Sequence, residues 1–260
     1  MTSPMPKIIP GLLAAALVVP VTLVAQGLSG RAPTGGPGFL FDMPRVHVGV
    51  RGGFNLRRAS AGPDGLFTFV TRELTLGRRD FDAFGIGADL GVVLAGPFDL
   101  VFGAGHSVNG ASSEFRDWVD ENERSITQRT TLATTAFTVA ARWNLTSRGR
   151  RIGRFVWIPA RVLPYVGIGA GAMKYSLAQD GYFVDFSDLS IFRARLGSRA
   201  WTAMALAMAG TDYSLGKRLF ASAEARVLWA NADLRGDFVS FDDGIDLSGV
   251  QFSLGLHVRI

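Results

Sequence analysis

The chain has 260 residues, of which 48% are hydrophobic, 32 are glycine and none is cysteine. Without cysteine, disulfides and thiolate metal sites are excluded. The glycine-rich, apolar composition favours a thin-walled β structure over a helical globule. The net charge of +5 is spread along the chain and is not concentrated in a basic tract with interleaved aromatics, which argues against nucleic acid as a partner.

Residues 1–27 have the pattern of a secretory signal peptide, because Lys7 precedes an apolar run that ends in small residues suited to cleavage. A transmembrane anchor is the alternative, but Pro10 and Pro20 leave the run short of the roughly 20 apolar residues that a spanning helix needs. Residues 28–43 are rich in proline and glycine, and we expect them to form a flexible periplasmic leader.

The domain predicted over residues 44–260 contains eight segments in which apolar and polar residues alternate with the two-residue period of a strand. In chain order they lie near 45–56, 84–94, 98–105, 128–145, 164–175, 200–213, 219–229 and 250–260. One apolar and one polar face fit either a soluble sheet with a wet side or a membrane barrel with a polar lumen. The last segment runs to the final residue, which favours a barrel. The prediction is therefore an all-β fold: a closed, eight-stranded, antiparallel transmembrane β-barrel with up-and-down meander topology.

The predicted connections differ in length on the two sides of the barrel. Short links lie at 96–97 and 214–218, and long ones at 57–79, 111–127, 178–199 and 235–247. This asymmetry is typical of outer-membrane barrels with long extracellular loops and both termini in the periplasm. Two segments fit less well. The link 146–163 is long and basic although it lies on the predicted periplasmic side. The segment 66–76 could form an extra strand, but a ninth strand would make the strand count odd, so we assign it to an ordered first loop.

Residues 44–260 resemble the small eight-stranded outer-membrane barrels of the OmpA, OmpX and OmpW type. The segments that carry the resemblance are Pro164–Gly171, Asp212–Gly216 with Ala223–Arg226, and Ile245–Gln251 with Gly255–Ile260. The resemblance implies an outer-membrane location among lipid and lipopolysaccharide, reached through the barrel-assembly machinery. The family's terminal assembly signal is similar to Ser253, Gly255 and Val258 here, although Ile260 stands where the family has phenylalanine.

We expect the inward polar side chains to meet in a narrow lumen. They are Arg45, His47, Arg51, Asp89, Asp99, Arg142, Glu224, Arg226, Gln251, His257 and Arg259. The interior of an eight-stranded barrel is just wide enough for side chains, so a salt-bridge network that fills it is the expected role. Within this network the sequence suggests Arg142, Arg51 or Arg259 as the partner of Glu224. Aromatic girdles are expected at Trp143, Trp157, Tyr165, Tyr213 and Trp229.

Three kinds of function remain: a structural or surface-interaction barrel with a filled lumen, a narrow channel for small solutes, and a lipid A-modifying enzyme. The enzyme rests on His106 and Ser107, which resemble the motif of outer-membrane lipid A deacylases. Adjacent residues of a strand point to opposite faces, however, so nucleophile and base would be separated. We therefore expect no enzymatic activity and no catalytic residues. Neither metal-ligand spacing nor a phosphate loop is evident, so no metal or cofactor is expected. The sequence does not indicate which oligomeric state the protein adopts.

Overall fold

The computed structural model describes residues 39–59, 65–185, 187–241 and 243–260. The predicted signal peptide and most of the leader lie outside these residues. The barrel strands are β1 (Val46–Arg57), β2 (Ala83–Val93), β3 (Phe98–Val119), β4 (Ser125–Asn144), β7 (Val162–Val184), β8 (Ile191–Ser214), β9 (Leu219–Trp229) and β12 (Gly249–Arg259). The inserted elements are α1 (Leu66–Glu73), β5 (Gly149–Ile152), β6 (Val156–Pro159), β10 (Asn231–Ala232), β11 (Ile245–Asp246) and 3₁₀ helices at Arg78–Phe81 and Gly236–Phe238. Among the described helices, none has the length and apolarity needed to cross a membrane.

The eight barrel strands form a closed antiparallel sheet in the order β1-β2-β3-β4-β7-β8-β9-β12. The ring closes where β1 pairs with β12, from His47 opposite Arg259 to Arg57 opposite Gly249. The inserted hairpins β5–β6 and β10–β11 form separate two-stranded sheets. The predicted closed eight-stranded meander is confirmed.

The barrel is much taller on one side than on the other. Strands β3, β4, β7 and β8 have 20 to 24 residues, whereas β1, β2, β9 and β12 have 11 or 12. We call the end where β1 begins and β12 ends the lower end, and the opposite end the upper end. Above Ser107, β3 has no pairing with β2, and above Ala205, β8 has none with β9. The long strands thus form an open four-stranded wall above the closed ring.

The predicted long loops at 111–127 and 178–199 are wrong, because β3 and β4, and likewise β7 and β8, continue as paired strands through most of these residues. Only 120–124 connects β3 to β4, and only 185–190 connects β7 to β8. Beyond the predicted barrel the outward side chains become polar, so the membrane-type alternation ends while strand pairing continues. The segment 66–76 is not an extra strand, because Leu66–Glu73 is helical.

The outer face of the closed ring is apolar over a limited height. On β7 the outward side chains are apolar or small from Val162 to Ala172, and Lys174 follows. On β8 the apolar face extends from Tyr213 to Trp201, and Arg199 follows. These lengths are close to the roughly 9–11 residues with which a tilted strand crosses a bilayer. Outside the band the same strands present charge, as expected of residues that leave lipid for water.

The basic link 146–163 folds as the hairpin β5–β6 at the lower end of the barrel. Trp157 of this hairpin is buried and forms a two-way backbone bridge with Leu40. The prediction that Trp157 belongs to an exposed girdle is therefore wrong. Trp143 and Tyr213 are exposed at the lower end, and Trp143 stacks against Phe98 with ring centroids 6.1 Å apart.

An apolar core fills the upper end. The helix α1 buries Leu66, Phe67 and Val70, and the Phe67 ring meets Phe81 edge-on at 4.6 Å. Inward side chains of the barrel wall join this core, as do residues of the loops; they include Phe115, Ile126, Leu132, Met173, Tyr175, Leu177, Met204, Leu206, Leu234, Phe238, Ile245 and Leu247. The lumen thus has a predominantly apolar upper half beneath a layer of loops.

Candidate functional site

The lower half of the lumen contains the charged side chains, and all eight barrel strands contribute to it. Period-two alternation points every second residue inward, so side chains far apart in sequence meet inside a ring this small. The inward polar residues of the lower half are His47, Arg51, Asp89, Asp99, Arg142, Asn144, Tyr165, Asp212, Ser222, Glu224, Arg226, Gln251, Ser253 and His257. They form two charge clusters, one central and one nearer the lower end.

The central cluster joins β1, β2, β9 and β12. Arg51 Nε donates to Asp89 Oδ2 at 2.8 Å, and Arg51 Nη1 donates to Gln251 Oε1 at 3.3 Å. Arg226 Nη2 lies 3.5 Å from Asp89 Oδ1, and Arg226 Nε donates to Glu224. Asp89 therefore bridges two guanidinium groups, each of which is also held by a second acceptor.

The lower cluster joins β3, β4 and β8 with the link that follows β4. Arg142 Nη2 donates to the Asp212 carboxylate on β8. Arg142 Nη2 and Nε also donate to Asn144 Oδ1, at 3.1 and 3.2 Å respectively. Asn144 Nδ2 donates to Asp99 Oδ2 at 2.8 Å, and Arg148 Nη2 lies 2.5 Å from Asp99 Oδ1. Arg148 also donates to the backbone carbonyl groups of Gly96, in the turn between β2 and β3, and of Phe98, the first residue of β3. The basic link therefore supplies a counter-charge to the barrel interior.

Tyr165 connects the two clusters. Its hydroxyl donates to Glu224 Oε2 at 2.9 Å, and the Arg142 guanidinium lies 3.6 Å from the centroid of its ring. The ring has room because Gly210 has no side chain: a Cβ there would lie 2.6 Å from the phenol oxygen. The prediction of Tyr165 in a lipid-facing girdle is wrong, because it shares the strand parity of Gly167 and points inward.

The charges of the two clusters balance. Four guanidinium groups, of Arg51, Arg142, Arg148 and Arg226, meet four carboxylates, of Asp89, Asp99, Asp212 and Glu224. The side chains of these eight residues are at most 12% exposed. A buried ion is costly unless a partner and further hydrogen bonds satisfy it, so each charge here depends on the others.

Below the clusters lies a layer of rings. His257 stacks on Phe220 at 4.9 Å and its Nε2 lies 2.9 Å from Ser222 Oγ, while His47 meets both rings edge-on. The Arg259 guanidinium lies 4.4 Å from the Phe220 ring centroid. Sequence reasoning missed Phe220, although its inward parity with Ser222 and Glu224 would have identified it.

Two expectations for the network differ from the structure. Arg45 precedes β1 and is exposed, so it lies outside the lumen. The charged partner of Glu224 is Arg226, two residues along the same strand, and none of the three arginines that the sequence suggested. The reason is geometric, since same-face neighbours on a strand are within reach of each other without depending on the register of other strands.

Sequence reasoning also missed Asp212, Arg148 and Tyr165 as network members. Asp212 lies on a strand rich in alanine and methionine, where apolar residues on both faces weaken the alternation, although Met208 and Gly210 share its parity. Arg148 lies in the link after β4, where strand periodicity gives no information. For Arg148 no signal in the sequence could have indicated the contact.

The residues of the enzyme hypothesis lie on opposite sides of the wall. His106 is exposed on the outer face, with Nδ1 2.9 Å from Thr135 Oγ1. Ser107 is buried inside, 2.9 Å from Thr134 Oγ1. The two side chains therefore do not form a nucleophile–base pair. In the described part of the chain, no group of three or more acidic or histidine side chains could hold a metal ion.

Three small cavities lie along the lumen. A cavity of about 40 Å³ adjoins His47 and Arg142 at the lower end, one of about 20 Å³ lies between Tyr165 and Arg226, and one of about 50 Å³ lies above Arg51. The Arg142–Tyr165 contact and the Arg51–Arg226 pair lie between successive cavities. Each cavity has room for only a few water molecules.

The residues of the predicted assembly signal alternate across the wall of β12. Ser253 is buried and faces the lumen with Gly255, whereas Val258 and Ile260 are exposed on the outer face. The amide of Ile260 donates to the carbonyl oxygen of Val46 at 2.8 Å, which places the final residue in the closing pair of strands. A role of these residues in assembly stays a prediction.

A closed ring of eight antiparallel strands, with an apolar outer band and a charged lower lumen, defines the class of the protein: it is a transmembrane β-barrel. No protein-family model and no curated protein sequence matches the chain.

Several solved structures are similar in fold. Neisserial surface protein A matches with a TM-score of 0.47 and 9% identity, covering 83% of this chain and 96% of its own. OprG of Pseudomonas aeruginosa matches with a TM-score of 0.46 and 11% identity, covering 85% and 99%. Ail of Yersinia pestis matches with a TM-score of 0.40 and 11% identity, covering 84% and 100%. At these values the similarity describes the fold alone.

Proposed function

We propose that the protein is a bacterial outer-membrane barrel with a structural or surface-interaction role, and that its lumen is sealed. The observation that carries the proposal is the pair of side-chain layers across the lumen, Arg142 with Tyr165 and Arg51 with Arg226. Each layer is fixed by ion pairs to the wall, so opening a path would require separating buried charges. The apolar core above them adds a third obstruction.

Ion conductance of the refolded protein in planar bilayers tests the sealed lumen. We expect rare, small current steps from the unmodified barrel, and larger or more frequent steps from Arg51→Ala or Arg142→Ala. Arg193→Ala serves as the control, because this arginine is exposed on the outside of β8. Stable, large conductance from the unmodified protein would support the alternative function, a narrow channel for small solutes.

The orientation proposed for this barrel has both termini and the β5–β6 hairpin in the periplasm. It is supported by the two tight turns at the lower end, 94–97 and 215–218, and by the two longest connections at the upper end, 58–82 and 230–248. The chain has no cysteine, so single cysteines report topology cleanly. On intact cells a membrane-impermeant maleimide should label Glu121→Cys at the upper end and spare Phe155→Cys in the hairpin. Labelling of the hairpin alone would reverse the orientation.

The partner proposed for the outer surface is the phosphorylated headgroup region of lipopolysaccharide. Above the apolar band, the long strands carry exposed basic side chains: Arg116, Arg129, Lys174, Arg193, Arg195 and Arg199. Register places Lys174 beside Trp201, and Arg199 beside Ser176 one step higher on the same face. Guanidinium groups bind phosphate by paired, charge-assisted hydrogen bonds, so this wall suits an anionic lipid layer.

A matched pair of double variants tests the lipid contact. Arg195→Gln with Arg199→Gln should weaken binding of the refolded barrel to lipopolysaccharide micelles, whereas Arg150→Gln with Arg154→Gln should not. Both variants remove two exposed positive charges, but the second pair lies in the hairpin at the lower end. Equal loss of binding in the two variants would indicate an effect of net charge and contradict a specific wall.

A further inference from the structure

The upper cavity of the lumen is lined by a buried guanidinium group that forms no ion pair with another described residue. Arg57, at the upper end of β1, is 9% exposed, and its Nη2 donates to Ser107 Oγ at 3.3 Å and Thr134 Oγ1 at 3.0 Å. It forms no ion pair with any described carboxylate, unlike the arginines of the two clusters. The nearby Asp82 instead accepts a hydrogen bond from the Arg57 backbone amide.

The Nε–H of Arg57 is a buried donor with no acceptor among the described residues. A buried guanidinium that lacks both a counter-charge and one of its hydrogen bonds is unfavourable in a low-dielectric interior. Since the eight charges of the two clusters cancel, the positive charge of Arg57 is in excess over them. An anion beside Arg57 would satisfy both requirements together.

The space beside Arg57 suits a small anion. The cavity of about 50 Å³ is lined by Arg57, Arg51 and Arg226 and by the hydroxyl groups of Ser107 and Thr134. The two hydroxyl groups share one hydrogen bond between them and both accept from Arg57, which leaves one hydroxyl proton free to donate. The cavity is too small for a sugar or a lipid headgroup.

We infer that this cavity is a binding site for a small inorganic anion of the halide class, held by the Arg57 guanidinium and the Ser107–Thr134 hydroxyl pair. Met173, Met204 and Leu247 line the apolar side of the same cavity, which separates the bound ion from the loops above. The site neutralises the positive charge that the clusters leave unbalanced, and it ties β1 to β3 and β4 where the short and long strands meet.

The test compares thermal unfolding of the full barrel, refolded in detergent, in sodium chloride, sodium bromide and sodium gluconate at equal ionic strength. Gluconate is too bulky for the cavity and controls for screening. A ligand that binds only the folded state raises its stability as the concentration exceeds the dissociation constant. We expect Tm to rise by several degrees and to saturate in chloride and bromide, but not in gluconate.

Two variants and one control locate the effect. Arg57→Gln should abolish the halide-specific rise in Tm, and Arg58→Gln should retain it, because Arg58 is the adjacent but exposed arginine. Gly105→Ala should also abolish it by filling part of the cavity: a Cβ at Gly105 meets nothing closer than 3.6 Å, so the variant is expected to fold. Gly105→Ala keeps every charge of the barrel, so it tests whether the cavity volume is needed for the ion, even if Arg57→Gln does not fold.

Crystals soaked in bromide provide the direct observation, an anomalous peak beside Arg57 Nε. Identical Tm curves in chloride and gluconate for the unmodified protein would overturn the inference. A halide effect that persists in both Arg57→Gln and Gly105→Ala would also overturn it, since the ion would then bind elsewhere.

Discussion

The lower half of the lumen is held by ion pairs and the upper half by apolar packing, although the same long strands wall both. In the lower half, every buried charge of the clusters has a partner on another element or two residues along the same strand. In the upper half, Tyr175, Leu177 and Phe67 are almost fully buried against loop residues. The boundary lies near Arg57 and the cavity of about 50 Å³ beside it.

This difference follows from what surrounds each half. The lower half lies within the apolar outer band, where the wall already supplies an apolar exterior and glycines leave space for long charged side chains. The upper half rises above that band, where a polar outer surface needs an apolar interior, as in a soluble protein. The barrel thus has the inside-out pattern of a membrane protein below and the ordinary pattern above.

The largest effect is expected from breaking the lower cluster. Arg142→Met should lower the free energy of unfolding by about 3–5 kcal/mol, because it leaves the buried Asp212 carboxylate without its partner. Urea unfolding of the refolded barrel measures this. Arg150→Met, an exposed site on the hairpin, should change stability by less than about 0.5 kcal/mol.

Removing both partners distinguishes a stranded charge from lost packing. Arg142→Met combined with Asp212→Leu should be more stable than Arg142→Met alone, since replacing a whole buried pair by apolar residues is often neutral. If the double variant is as unstable as the sum of the single variants, the ion pair is not what couples these two residues.

A smaller effect is expected where the two clusters join. Tyr165→Phe keeps the ring under Arg142 but removes the hydroxyl that donates to Glu224, leaving a buried acceptor less satisfied. The expected loss is about 1–3 kcal/mol in urea unfolding. Tyr213→Phe is the matched control on the exposed lower rim, and an equal loss there would contradict the role of the buried hydroxyl.

The smallest effect on the barrel itself is expected from the upper half. Phe67→Ala leaves a cavity in the loop layer and should increase protease cleavage around α1. The loops can unfold locally while the closed ring of strands stays intact. Global unfolding should shift by less than the roughly 3–5 kcal/mol expected when a buried phenylalanine is removed from a core that unfolds together with the barrel. Arg72→Ala, exposed on the same helix, should alter neither readout. A large global loss from Phe67→Ala would show that the two halves unfold together.

The sequence predicts the lipid-embedded part of the fold well and the rest poorly, for a physical reason. Lipid on one side and a polar lumen on the other impose a strict period of two, so the strand at 219–229 and the tight turn at 96–97 are correct. Above the lipid that constraint ends, so the extensions of β3 and β7 and the helix α1 were not found. The alternation of residues determines which side chains point inward. Which of them form ion pairs depends on the register of neighbouring strands and on the length of the side chains, as the pair of Glu224 with Arg226 shows.

The height difference of the strands also bears on association between molecules. A strand with unpaired amides and carbonyls invites pairing with another chain, and a wall that rises above its neighbours has two such borders. The chain covers one border where Thr75 and Leu74 pair with Glu114 and Phe115. On the other border, Asp237 accepts from the Gly197 amide. The loop layer therefore occupies backbone groups at both borders that would otherwise be available for pairing with a strand of another molecule.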